Sequence, residues 1–130
     1  MTLLTAVLLP VVLLAQAANF DVQQLADGIY AVIRKDPPGL MVEANNVFIV
    51  NDDDVVVVDA NGAPAITQEV LAALRRITNK PVRTVVNTHY HDDHIRGNQV
   101  YRDAFPGVAF IAHAQGQRRR PAQHLVHPRR

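Results

Sequence analysis

At 130 residues, with 48% apolar and 19% charged side chains, the chain has room for one domain and too ordinary a balance for wholesale disorder. It has no cysteine, which excludes disulfides, thiolate metal ligands and a lipid-modified cysteine anchor. The formal net charge of +1 hides an uneven layout: five of the thirteen basic residues, Arg118, Arg119, Arg120, Arg129 and Arg130, fall in the last thirteen positions, and no acid follows Asp103.

Residues 1–17 read as a signal peptide. Leu3 to Leu14 is an almost unbroken apolar run, with Thr5 and Pro10 inside it, and it leads into Ala15-Gln16-Ala17, a small-x-small cleavage pattern. The run is shorter than the ~20 residues that span a bilayer, so no stable membrane insertion is expected. A buried core helix is the competing reading; Pro10 and the absence of charge before Asp21 count against it. No Lys or Arg precedes the run, so its positive charge must come from the amino terminus or from sequence upstream of Met1. The expectation is a periplasmic or secreted protein.

Phe20 to Leu25 and Ile29 to Ile33 then read as short strands around an Asp27-Gly28 turn, followed by a loop at Asp36-Pro37-Pro38-Gly39. Val47 to Val50 and Val55 to Val58 are β-branched or aromatic throughout, and Asn51-Asp52-Asp53-Asp54 between them is turn chemistry. A hairpin of buried strands is expected. The acidic trio lacks the ligand spacing and glycine of a calcium loop and reads as a solvated turn. After Asp59-Ala60-Asn61-Gly62, the positions Ile66, Val70, Leu71, Leu74 and Ile77 keep a helical period from Pro64 to Thr78, closed by Asn79 and Pro81. Val82 to Thr88 returns to strand, and a helix at Gly97 to Ala104 with a strand at Val108 to Ala112 repeats the pattern. Strand-helix-strand order predicts parallel pairing, hence an α/β layout with a β-rich start.

The strand Val82 to Thr88 runs into His89-Tyr90-His91-Asp92-Asp93-His94. In extended backbone, residues i and i+2 face the same side, so His89 and His91 can seat one zinc at about 2.0–2.1 Å per nitrogen. Asp93 and His94 follow in the turn and can offer one oxygen and one nitrogen to a second metal about 3.5–4 Å away, a spacing suited to hydrolysis. Binding requires neutral imidazoles and an ionised Asp93, so affinity should fall as pH drops below about 6. A loosely metal-binding histidine tract is the competing reading of the cluster. His113, alone at a strand end, reads as a structural residue.

Asn87-Thr88-His89-Tyr90-His91-Asp92-Asp93-His94, followed by Gly97-Asn98, resembles the HxHxDH signature of the metallo-β-lactamase superfamily. The resemblance covers roughly Phe20 to His113. It implies that His89 and His91 ligate a first zinc and that Asp93 and His94 ligate a second, with up to two zinc ions per intact site. It also implies a zinc-dependent hydrolase in which metal-bound hydroxide attacks an ester, lactone, thioester or β-lactam carbonyl of a small molecule. Asp93 would act catalytically by orienting the water or taking its proton. Asp59 sits where the family keeps a buried acid that hydrogen-bonds near the metal loop; a plain turn residue is the equal alternative. Asp92 reads as exposed and Tyr90 as packing.

The fold the resemblance implies is an αββα sandwich of two halves, with the site between them. This chain would supply a truncated N-terminal half: a leader at 1–17, a partial domain at 18–114 and an irregular Arg/Pro-rich tail at 115–130. A complete site would need a further histidine for the first zinc, and a bridging aspartate and another histidine for the second. No carboxylate follows Asp103, and His124 and His127, bracketed by Pro121 and Pro128, suit a firm metal pair poorly. The tail reads as an out-of-frame or truncated end. Its rival reading, a nucleic-acid patch, lacks interleaved aromatics, so no nucleic-acid partner is expected. Half a sandwich leaves one sheet face uncovered, which predicts self-association and a marginal fold. Two other functions compete: a non-catalytic metal-binding fragment, and a barrel-type amidohydrolase that also uses a His-x-His pair. The Asp93-His94 continuation and the preceding hairpin disfavour the barrel.

Overall fold

The computed structural model describes residues 19–35 and 43–114. The leader expected at 1–17, the loop at 36–39 and the tail with His124 and His127 lie outside the described residues. Six strands form one sheet in chain order: β1 (Phe20–Ala26), β2 (Ile29–Arg34), β3 (Asn46–Val50), β4 (Val55–Val58), β5 (Val82–Asn87) and β6 (Ala109–Ala112). The first three pairings are antiparallel and the last two parallel. The change of direction follows from the connections. Asn51 to Asp54 is short enough only for a hairpin, whereas α1 (Pro64–Ile77) carries the chain back between β4 and β5. Two helices, α2 (Asp92–Ile95) and α3 (Asn98–Ala104), join β5 to β6.

Register sorts the strand residues onto two faces. Val32, Phe48, Val55, Val57, Val85 and Phe110 share one face and are all buried. Val70, Leu71 and Leu74 of α1 and Tyr101 of α3 complete the core on that side. The helical period read from Ile66 to Ile77 thus corresponds to a real buried stripe. Each such side chain contributes about 1.5–3 kcal/mol through removal from water. Thr67, polar yet fully buried in α1, is satisfied because its hydroxyl donates to the Ala60 carbonyl at 2.6 Å.

The opposite face is apolar too, with Ala31, Ile33, Val47, Ile49, Val56, Val58, Val86, Ala109 and Ile111 aligned across the sheet. None of these is buried, and Ile111 is 55% exposed. The hairpin expected to be buried is therefore buried on one face only. Among the described residues no helix packs on the second face; strand composition reports what a face could bury, not what is there to cover it.

Two boundaries differ from expectation. β5 stops at Asn87, and Thr88 has left the ladder to bond Asp59. The turn expected before the second helix contains a helical turn of its own, α2, with Asp92 and Asp93 at its positive end. Among the described residues no helix is long and apolar enough to cross a membrane.

Candidate metal centre

The sequence between β4 and α1 sets up the site. Asp59 and Asn61 both adopt left-handed backbone, with φ of 62° and 61°. Short polar side chains tolerate that region best, although each such residue still costs about 1 kcal/mol. The cost is offset by the bonds the turn makes to the metal loop. Ala60 N–H donates to the His94 carbonyl at 2.9 Å, and Gly97 N–H donates to the Asn61 carbonyl at 3.1 Å. A methyl at Gly97 would lie 1.8 Å from the Ala60 carbonyl oxygen, so the close approach of α3 to this turn admits only glycine.

Asp59 is 4% exposed, and its carboxylate is the hub of the site. It accepts the Thr88 N–H at 2.9 Å and the Thr88 hydroxyl at 2.8 Å, and His94 Nδ1 lies 2.8 Å from Oδ2. Both features weighed for Asp59 are present: it lies in a turn, and it is a buried acid bonded to Thr88 and His94 of the histidine loop. Because a carboxylate only accepts, the proton of His94 sits on Nδ1 and the Thr88 hydrogen points at Asp59. Thr88 Oγ1 can then accept from His89 Nδ1, 3.1 Å away. This chain of bonds leaves the Nε2 lone pairs of both His89 and His94 available.

Those lone pairs are aimed. His89 Nε2 lies 3.1 Å from His91 Nδ1, and His94 Nε2 lies 3.2 Å from Asp93 Oδ2. At ordinary zinc–ligand lengths, either separation subtends about 100° at a shared ion, close to a tetrahedral angle. Two imidazole nitrogens this close repel unless a proton or a cation lies between them. The rings of His89 and His94 are 3.9 Å apart, so the two donor pairs are neighbours. The donor set therefore fits zinc pairwise. Among the described residues no three His, Asp or Glu side chains are arranged to hold one ion, so each pair alone offers two donors.

The remaining residues of the motif have plainer parts. Tyr90 packs its ring edge-on to His91 at 4.9 Å. Asp92, expected to be exposed, is half-buried and paired with Arg96 one turn later at 2.5 Å. Asn87 is buried; its amide donates to the His94 carbonyl at 3.1 Å and exchanges hydrogen bonds with Asn98. His113 is exposed just beyond β6, at the same edge of the sheet as the cluster, since Ala112 pairs with Asn87. Sequence reasoning quoted Asn87, Thr88 and Asn98 with the motif but gave them no role of their own, and it did not single out Glu43. Asn87-Thr88 directly before a histidine cluster was the only signal for the first two.

Comparison with known proteins identifies the family. A model of the metallo-beta-lactamase superfamily matches residues 41–125. A hydroxyacylglutathione hydrolase of Gloeobacter violaceus is 39% identical over 82 residues, covering 61% of this chain and 31% of that protein. A linear primary-alkylsulfatase of a Pseudomonas species is 35% identical over 49 residues, covering 38% of this chain and 9% of that protein. Among solved structures, the metallo-β-lactamase FIM-1 from Pseudomonas aeruginosa in its mono-zinc form superposes with a TM-score of 0.65 at 22% identity, covering 86% of this chain and 53% of that one. A metallo-β-lactamase from Erythrobacter litoralis gives 0.64 at 26% identity, covering 80% and 46%. The chain spans about a third of the length of the hydroxyacylglutathione hydrolases it matches. With a family model matching most of the chain, and the histidine–aspartate motif folded into two adjoining donor pairs at a strand end, the chain belongs to the metallo-β-lactamase superfamily.

Proposed function

We propose that the chain carries the metal-binding loop of a zinc-dependent hydrolase, with His89 Nε2 and His91 Nδ1 holding one ion and Asp93 Oδ2 and His94 Nε2 a second. The observation that carries this reading is the pair of donor separations, 3.1 and 3.2 Å, each suited to a shared ion. Bound zinc supplies a Lewis acid that polarises a carbonyl and makes water nucleophilic near neutral pH. The chain's own residues prepare that chemistry. Asp59 keeps the His94 proton on Nδ1 so that Nε2 can ligate, and Thr88 does the same for His89. Asp93, half-buried, belongs to the second donor pair through Oδ2, and its carboxylate can also orient a water or receive its proton.

The substrate proposed is a small carbonyl compound. Hydroxyacylglutathione hydrolases recur among the curated relatives at 31–39% identity, which favours an acylglutathione thioester over a lactone, a simple ester or a β-lactam. An exported location is part of the proposal and rests on the apolar run ending at Ala15-Gln16-Ala17. A second reading, metal binding without turnover, is favoured by one observation: the described donors come in pairs and never in threes.

Zinc content after dialysis, measured beside hydrolysis of acylglutathione, lactone and β-lactam substrates, separates the two. Turnover that disappears with His91→Ala supports the enzyme. Zinc uptake without turnover supports the second reading, and no zinc uptake by a folded chain overturns both.

A further inference from the structure

The turn that holds the metal loop is itself gripped from behind. Asn46 Nδ2 donates to the Asp59 carbonyl at 2.8 Å, and Asn61 Nδ2 donates to the Ala44 carbonyl at 2.7 Å, both buried. Gly62 N–H donates to Glu43 Oε2 at 2.5 Å in a partly buried setting. Three successive side-chain bonds thus stitch residues 43–46, the lead into β3, to residues 59–62.

Gly62 is pressed between Glu43 and a metal-binding residue. A methyl placed there would sit 3.1 Å from Asp93 Cα, and 3.3 and 3.4 Å from the two carboxylate oxygens of Glu43. The backbone of Gly62 therefore touches the backbone of Asp93 on one side while Glu43 holds its amide on the other. The neighbouring contacts continue into the same loop, through Ala60 N–H to the His94 carbonyl and Gly97 N–H to the Asn61 carbonyl.

We propose that Glu43 is a positioning residue for the Asp93–His94 donor pair, acting through the Gly62 amide on which Asp93 rests. This rests on the reading that the pair holds a metal ion. Glu43 reaches the pair through a hydrogen bond of fixed length, so shape at this position matters more than charge. Glutamine keeps an acceptor at the same reach, whereas aspartate keeps the charge and falls one methylene short. A residue acting only by adding negative charge near the site would show the reverse order.

The test uses the full chain and its Glu43→Gln, Glu43→Asp and Glu43→Ala variants. Zinc affinity is measured by calorimetric titration, and exchange of the Gly62 amide is followed by NMR in the metal-free protein. Glu43→Gln is expected within about threefold of the parent. Glu43→Asp and Glu43→Ala are expected to bind zinc about 10- to 100-fold more weakly, the range seen when a residue supporting a ligand is lost. The Gly62 amide should exchange faster in those two variants alone. Parental zinc affinity in Glu43→Asp and Glu43→Ala overturns the role of Glu43 and leaves the metal site standing. So does retention by aspartate with loss by glutamine. A parent chain that takes up no zinc overturns the metal reading itself, and the positioning role with it.

Discussion

A histidine cluster becomes a metal site only when each ring is held in one tautomer, and a single side chain does most of that here. Asp59 accepts from Thr88 twice and lies against His94 Nδ1, which ties the free nitrogens to the side where the donor pairs form. The four residues proposed as donors could be singled out in the sequence because their spacing is local: two histidines on one side of an extended stretch, then an acid and a histidine in the next turn. The part Asp59 plays was only half legible, since the bond to Thr88 spans 29 positions and no local pattern encodes it. Glu43 was invisible for the same reason; its partner Gly62 is 19 residues away.

Tyr101 makes a different point at this scale. Its side chain is fully buried in α3 and its hydroxyl has no hydrogen-bond partner among the described residues. Burial pushes the phenol above its ordinary value, so the folded state resists ionisation that the unfolded chain undergoes. The stability tied to this group is present below the unfolded value of about 10 and is lost as pH rises beyond it. Tyr101→Phe removes both the unpartnered hydroxyl and that alkaline penalty. The variant should match the parent or exceed it by about 1 kcal/mol at neutral pH, and its advantage should widen above pH about 10. Denaturant unfolding across that range checks it; a loss of more than about 1 kcal/mol at neutral pH would show that the hydroxyl has a partner after all.

Among elements, the ordering of strands and helices followed closely from composition and period. The runs at Val47 to Val50 and Val55 to Val58 pair as the expected hairpin, and the helical stripe from Ile66 to Ile77 packs on the sheet. The short helix Asp92–Ile95 was not expected, because four residues are too few to show a period and the segment was dominated by its ligand spacing. Its approach to the turn at 59–62 depends on Gly97. Gly97→Ala would put a methyl 1.8 Å from the Ala60 carbonyl and 2.0 Å from Thr67 Oγ1, both already committed to the turn. The substitution should cost about 3 kcal/mol of stability and weaken zinc binding together with it. Thermal unfolding beside a zinc titration reads both, and a parental melting temperature would show that α3 can back away from the turn.

At the level of the whole molecule, the sheet is apolar on both faces, and among the described residues helices cover one. Ile33 and Ile111 lie on the other face at 36% and 55% exposure, with Val47, Ile49, Val56, Val58 and Val86 half-buried between them. Exposed apolar surface of this breadth favours association, which gives a testable expectation. The chain is expected to bind a hydrophobic dye, to self-associate as its concentration rises and to melt broadly. Ile33→Thr with Ile111→Thr should reduce dye binding and association with less than about 0.5 kcal/mol change in stability, as exposed substitutions do. A sharply melting monomer that ignores the dye would contradict this. The sequence reading expected an uncovered face because half a sandwich leaves one, while it took the all-apolar strands as buried; the register shows which residues lie on each face.

The account turns on the two donor pairs, and metal analysis of the dialysed chain tests them most directly. The parent should retain zinc. His89→Ala with His91→Ala, and separately Asp93→Ala with His94→Ala, should each remove part of it, and the four changes combined should remove all of it while circular dichroism still reports the sheet. Zinc content unchanged in the folded fourfold variant would contradict the assignment of these residues as the metal site.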